Sequence, residues 1–132
     1  MTDWVWIDVG DAVGFHDEQI AAHGGAPGLR DANLLESAMA RPRMKARYDG
    51  ADVAGLAAAY GYGLARNHPF VDGNKRTALV VMETFLVVHG AELKADNAET
   101  VALILALAAG DVTEEQLAEW IRDNLVPLDQ FP

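Results

Sequence analysis

The 132-residue sequence predicts an all-α fold, a compact bundle of about six helices, on three observations. Apolar residues recur at helical spacing in segment after segment, and no alternating apolar and polar run of useful length appears. Each periodic segment is bounded by capping residues, glycine or proline. Hydrophobic residues make up 51% of the chain, enough for a single core in a chain of one-domain size, read here as one domain over residues 1–132.

The elements follow in order. Trp4 to Ile7 reads as a short extended piece. Val9, Val13, His16 and Ile20 then fall at helical spacing, and Gly24-Gly25 ends that helix. After the Ala26-Pro27-Gly28 turn, Asp31 caps a second helix through Leu34, Leu35, Ala38 and Met39, which Pro42 is expected to stop. Residues 42–51 read as an Arg-rich loop closed by Asp49-Gly50. Asp52 caps a third, Ala-dense helix to about Arg66, whose small residues let another helix approach closely. Pro69 breaks the pattern. Beyond Gly73-Asn74 a fourth helix runs to His89, apolar on most faces and therefore expected to be central and buried, with Gly90 stopping it. Asn97 opens a fifth helix to Ala109-Gly110, and Thr113 with Gln116 forms the capping box of a sixth, containing Leu117, Trp120 and Ile121.

Composition narrows the function classes. There is no cysteine, which excludes disulfides and thiolate metal sites and suits a cytoplasmic location. The N-terminus has no basic region followed by an apolar stretch, and the longest apolar-rich run is too short to span a bilayer, so no membrane role is expected. The net charge of −10 argues against direct nucleic-acid binding. The charge is uneven. Residues 41–76 hold seven basic against three acidic side chains, net +4, and the remainder holds three against seventeen, net −14. Arg41, Arg43, Lys45 and Arg47 are either a solvated basic loop or contacts to phosphate or an acidic target surface.

The chemistry concentrates in His68-Pro-Phe-Val-Asp-Gly-Asn-Lys-Arg76. Gly73 permits unusual backbone angles and close approach to a ligand. Asn74 can cap the fourth helix, which leaves the amides of Lys75, Arg76 and Thr77 as the unpaired N–H groups of a helix N-terminus, an anion site. Arg76 suits bidentate binding of phosphate oxygens, and Lys75 adds a point charge. Asp72 beside this nest can hold Mg²⁺, which binds through one or two carboxylates plus phosphates. His68 can accept a proton from an attacking hydroxyl near neutral pH. Each piece alone has an ordinary structural explanation, since Asp-Gly-Asn is common turn chemistry and a lone loop histidine is usually solvated. No Gly-Lys-Ser/Thr follows a Gly-rich run, so this is not a Walker A loop. Elsewhere, His16 and His89 read as structural, Arg66 as complementing a helix C-terminus, Trp4 and Trp120 as packing, and Glu83 as paired or pointing outward.

The nine residues taken together resemble the signature of the Fic/Doc family: His, any, Phe, any, Asp or Glu, Ala or Gly, Asn, Gly or Lys, Arg. All seven constrained positions match. Phe15-His-Asp-Glu-Gln-Ile and His23-Gly-Gly-Ala-Pro-Gly-Leu-Arg-Asp31 resemble the N-terminal region of death-on-curing (Doc) toxins, and the resemblance covers roughly residues 8–125. It implies a helical bundle with the motif loop opening a central helix. It also implies His68 as general base, Asp72 as Mg²⁺ ligand, Gly73 and Asn74 as anion-nest positions, and Arg76 as nucleotide-phosphate ligand. Lys75 is the discriminating residue, because Gly there accompanies AMP transfer from ATP, whereas Lys accompanies the Doc type, with the γ-phosphate presented to the histidine. The implied activity is that of a protein kinase toxin using ATP and Mg²⁺. Its implied target is a threonine hydroxyl of elongation factor Tu, and its implied partner a small antitoxin of the Phd kind. Val80 departs from the Asn found in Doc toxins, and residues 41–52 also depart from that pattern. None of the Ser and Thr residues opens the Ser/Thr-x-x-x-Glu-Gly/Asn pattern of self-inhibited Fic proteins, which points to an external inhibitor. Two alternatives stay open: a nucleotidyltransferase, and an inactive helical binding module.

Overall fold

The computed structural model describes residues 3–128. Six helices follow in order: α1 Val9–His23, α2 Ala32–Asp49, α3 Val53–Asn67, α4 Asn74–Val88, α5 Asn97–Ala109 and α6 Glu114–Asp123. Two three-residue strands, β1 Ala91–Leu93 and β2 Leu125–Pro127, pair antiparallel with Glu92 opposite Val126. The all-α expectation holds, with this small ribbon as the addition.

Local chemistry explains most boundaries. The Asp8 side chain accepts from the Asp11 amide while Asp11 returns a bond to the Asp8 amide, a capping box at α1. Asp31, Asp52 and Asp96 cap α2, α3 and α5 by accepting a first-turn amide, and Thr113 with Gln116 forms a second capping box at α6. The expected stop at Pro42 is not found, and residues 42–49 are helix rather than loop. Proline removes one helical hydrogen bond and crowds the preceding turn, at about 3 kcal/mol in a helix interior, so tertiary contacts must outweigh it. They are present. Pro42 itself is buried. Arg41 and Lys45 both reach the buried Glu114 of α6, Arg41 through Nε at 2.6 Å and Lys45 through Nζ at 3.2 Å. Arg43 lies over the Trp6 ring and Arg41 over that of Tyr62. The basic segment is thus neither a loop nor part of the motif region, and it fastens the second half of α2 to the rest of the bundle.

The motif loop leads into α4, which buries seven side chains including Val81, Met82, Phe85 and Leu86, while Glu83 points outward. Its neighbour α3 is enclosed further, with ten of its fifteen residues buried, seven of them Ala or Gly in Ala54, Ala57, Ala58, Ala59, Gly61, Gly63 and Ala65. Small side chains let α2, α4 and α6 close on it. A Cβ at Gly61 would stand 2.1 Å from the Met82 sulfur, and one at Gly63 would stand 3.1 Å from the Ala38 backbone. Residues Trp4 to Ile7 cross this core without forming a strand. The buried Tyr60 hydroxyl accepts from the Ile7 amide at 2.9 Å and donates to the Ile7 carbonyl at 3.1 Å, and burial raises its pKa to about 12. His89 accepts from the Val5 amide through Nε2 and donates through Nδ1 to Phe85, with Trp4 edge-on to its ring. Both residues serve packing, as expected.

Candidate active site

The loop between α3 and α4 is built by ties to its own chain and to the segment around α1. His68 ends α3 in the left-handed region, φ 48 and ψ 56. Phe70 is buried, and its amide and carbonyl are both bonded by the Asn74 side chain at 2.9 Å, which closes the loop on itself. The expectation that Asn74 caps α4 is therefore corrected. Asn74 is the first helical residue, and the cap position falls to Gly73, with φ 76 and no side-chain bond. An asparagine can satisfy the loop or the helix end, and here it satisfies the loop. The consequence is an N-terminus of α4 that no side chain occupies. Its open amides end at Arg76, because the Thr77 amide donates to the Gly73 carbonyl and the Thr77 side chain is fully buried. The expectation that Thr77 presents a free amide is thereby corrected.

Asp72 stands at the mouth of this terminus. Its Oδ1 accepts from the Gly73 amide at 2.8 Å and its Oδ2 from the Ala26 amide at 3.2 Å. These two bonds, with Arg76 and Lys75 behind them, hold its pKa below the ordinary carboxylate value, so it is ionised at neutral pH. Its main-chain carbonyl accepts from His16 Nε2 at 2.7 Å, and the His16 ring stacks on Phe70 at 3.9 Å between centroids. His16 is structural, as expected, but in the service of this loop. The pKa of His68 is lowered by burial, then by the charges of Lys75, Arg30 and Arg66. The shift runs downward from 6.5, so the imidazole is neutral and able to accept a proton at pH 7.

A cleft of about 420 Å³ opens above the α4 N-terminus. Asp72 to Arg76 form one side, and Leu79 of α4 with Val101, Ile104 and Leu105 of α5 form an apolar wall opposite. The structure therefore brings together five of the seven sequence-designated residues in the cleft lining. His68, at the end of α3, is not among the lining residues, and Thr77 lies in the core. Sequence reasoning missed the bonds made by Ala26 and Arg30 and the space that Gly25 leaves beside Asp72. Arg30 donates from Nε to the His68 carbonyl at 2.6 Å and from Nη2 to the Asn67 carbonyl at 2.8 Å. The only signal for them was their place in the Gly24-Gly-Ala-Pro-Gly-Leu-Arg-Asp31 run, which carried a resemblance but no role. Arg66 extends towards the C-terminus of α5, 3.5 Å from the Ala108 carbonyl, rather than serving its own helix alone.

A helical bundle whose fourth helix is opened by a His-Pro-Phe-Val-Asp-Gly-Asn-Lys-Arg loop, with a free helix N-terminus between an acid and two cations, defines a narrow class of protein. The family profile described as "Fic/DOC family" matches residues 6–86. The chain is 31% identical over 113 residues to "Protein kinase doc" of Escherichia phage P1, covering 85% of this chain and 89% of that one. It is 47% identical over 79 residues to "Toxin Doc" of Mycolicibacterium smegmatis (strain ATCC 700084 / mc(2)155), covering 57% of this chain and 59% of that one. This chain belongs to the Fic/Doc family.

Proposed function

We propose that this protein is a Doc-type toxin of a toxin-antitoxin system, a protein kinase that moves the γ-phosphate of ATP to a protein hydroxyl. The observation that carries the reading is the α4 N-terminus. No side chain caps it, Lys75 and Arg76 follow it, and the ionised Asp72 precedes it. Backbone amides and helix dipole favour anions there, and the two cations add charge-assisted contacts. The apolar wall of Leu79, Val101 and Leu105 suits a nucleoside base, so one cleft accommodates both ends of a nucleotide.

Mg²⁺ fits the same arrangement. Among the described residues no three His, Cys, Asp or Glu side chains cluster as a metal cage. A lone carboxylate such as Asp72, completed by phosphate oxygens and water, is the usual way this ion is held. When bound, Mg²⁺ would neutralise charge developing on the phosphates.

His68 acts as base. The target hydroxyl oxygen attacks the γ-phosphorus, its proton passes to the His68 imidazole, and the bond from γ-phosphorus to the β–γ bridging oxygen breaks. ADP leaves with that electron pair. Lys75 is the residue that favours this outcome over AMP transfer. Elongation factor Tu is the target proposed, arrested translation and growth the consequence, the cytoplasm the site of action, and a Phd-like antitoxin the inhibitor. The relatives' names, "Protein kinase doc" and "Toxin Doc", support this reading.

Parallel incubations of the purified chain and elongation factor Tu with γ-labelled and α-labelled ATP test it. Label on the factor from the γ tube alone is expected, falling by about 100-fold or more with His68→Ala. Label from both tubes would replace the kinase by a nucleotidyltransferase. No label, with wild type and His68→Ala alike, would sink the catalytic reading for that target.

A further inference from the structure

We propose that Arg30 is a positioning residue for His68: its guanidinium fork, closed on the carbonyls of Asn67 and His68, holds the histidine backbone where its ring can serve as base. The inference rests on the catalytic reading of His68 above. The last carbonyls of a helix have no intrahelical donor and must find another partner. At the end of α3 that partner is one side chain, with Nε 2.6 Å from the His68 oxygen and Nη2 2.8 Å from the Asn67 oxygen. Among the described residues His68 is the only non-glycine residue with positive φ, at 48°. Side chains other than glycine seldom adopt that conformation unless their surroundings impose it.

Arg30 is itself held. Its amide donates to the Pro69 carbonyl at 2.7 Å, as does the next amide, that of Asp31, at 3.0 Å. Leu29 before it forms an isolated antiparallel bridge with Phe70. Asp31 caps α2 through the Leu34 amide. The fork therefore projects from backbone fastened on both sides, and it reaches the histidine from outside the bundle. Arg30 is exposed and contributes nothing to the hydrophobic core, so its two bonds to the end of α3 are its evident use. The planar fork suits two carbonyls at once, and a lysine ammonium offers no such pair of parallel donors. The charged groups acting on the His68 ring are Lys75 from α4, Arg66 from α3 and Arg30 itself.

Two variants separate geometry from charge. Arg30→Lys keeps the charge and loses the fork, and Arg30→Gln loses both. Each is expected to melt with wild type, because the site is exposed. Each is expected to lower kcat by about 10- to 100-fold, the scale on which misplaced catalytic groups act, with KM for ATP within about 2-fold because the α4 nest is untouched. The acid limb of the rate profile should stay in place for Arg30→Lys and move to higher pH for Arg30→Gln, since the lost cation held the ring's pKa down. The amide-to-Hα coupling of His68, read by NMR, should shift in both variants. Wild-type kcat in Arg30→Lys, or a loss confined to KM, would overturn the proposal. If wild type transfers nothing to any substrate, the phosphotransfer reading fails by itself. The His68 coupling still decides the clamp: unchanged coupling in both variants overturns it, and altered coupling upholds it.

Discussion

Gly25 sits at φ +116 with its Cα against Asp72, where an added Cβ would stand 2.8 Å from Oδ2 and 3.2 Å from the Ile20 side chain. No L-residue other than glycine is comfortable at that φ, and the carboxylate has nowhere to yield without losing the Ala26 amide. Gly25→Ala is therefore expected to weaken Mg²⁺-dependent ATP binding by about 10-fold, as a displaced charge-assisted contact should. Titration calorimetry with and without Mg²⁺ checks this, and unchanged affinity would detach Asp72 from nucleotide binding. The same residues set the pH range. A base must be deprotonated, and burial with Lys75, Arg30 and Arg66 lowers the pKa of His68. The acid limb of kcat/KM should consequently fall below pH 6.5, the ordinary histidine value. Asp72, lowered by the Gly73 and Ala26 amides, stays ionised across that limb and adds no step to it.

Every helix of this bundle except α4 begins at an acidic or hydroxyl side chain that accepts from its first turn. Asp52 serves twice. It caps α3 through the Gly55 amide at 2.9 Å and also receives Arg122 of α6 as a two-pronged pair, 2.8 Å to each oxygen. Asp52→Ala removes a cap worth about 1 kcal/mol and a half-exposed pair worth about 0.5 kcal/mol. Denaturant unfolding should show the sum at neutral pH. The Arg122 bond is the main cause that lowers the Asp52 pKa from 3.8. The ion-pair stabilisation is accordingly complete above the unfolded-state value and lost as pH falls through the lower folded-state value. The gap between wild type and variant should narrow in acid, and a gap that widens there would contradict the assignment. Pro42 makes the complementary point. A residue-level rule ends α2 at Pro42, yet the helix runs seven residues past it, to Asp49, because Arg41, Arg43 and Lys45 are each held by a partner outside α2.

Glu114 joins α6 to the second half of α2. Its side chain is 7% exposed and lies between Arg41 and Lys45, whose side chains are 43% and 26% exposed. Glu114→Leu leaves two cations that can still turn to water, so the cost should be about 1–3 kcal/mol rather than the larger penalty of a stranded buried charge. Equilibrium unfolding measures it, and a neutral result would show that Arg41 and Lys45 do not depend on Glu114. Salt should change the wild-type value little, since a buried carboxylate is poorly screened. At this scale Arg41, Arg43 and Lys45 read as structural ties rather than as phosphate contacts. Their charges are spent on Glu114, Trp6 and Tyr62.

The helices, their caps and the nine-residue motif were legible because they are local: a 3.6-residue period, a side chain three residues from an amide, a loop of fixed spacing. Asp31, Asp52 and Thr113 could be named from sequence, as could His68, Asp72, Lys75 and Arg76. The partners of that motif could not. Arg30 lies 38 residues from the carbonyl it holds, His16 lies 56 from its own, and Ala26 is 46 from Asp72. Whether Asn74 would cap α4 or close the loop was a choice between two equally local bonds, and the burial of Phe70 beneath His16 decided it. By itself the sequence determined an all-α bundle with a helix N-terminus flanked by an acid and two cations. The tertiary structure alone decided that this terminus stays open and that α1, the Gly25–Ala26 turn and Arg30 hold its acid and base in place. Hydrogen bonds between distant segments depend on how helices pack, and no spacing along the chain encodes that.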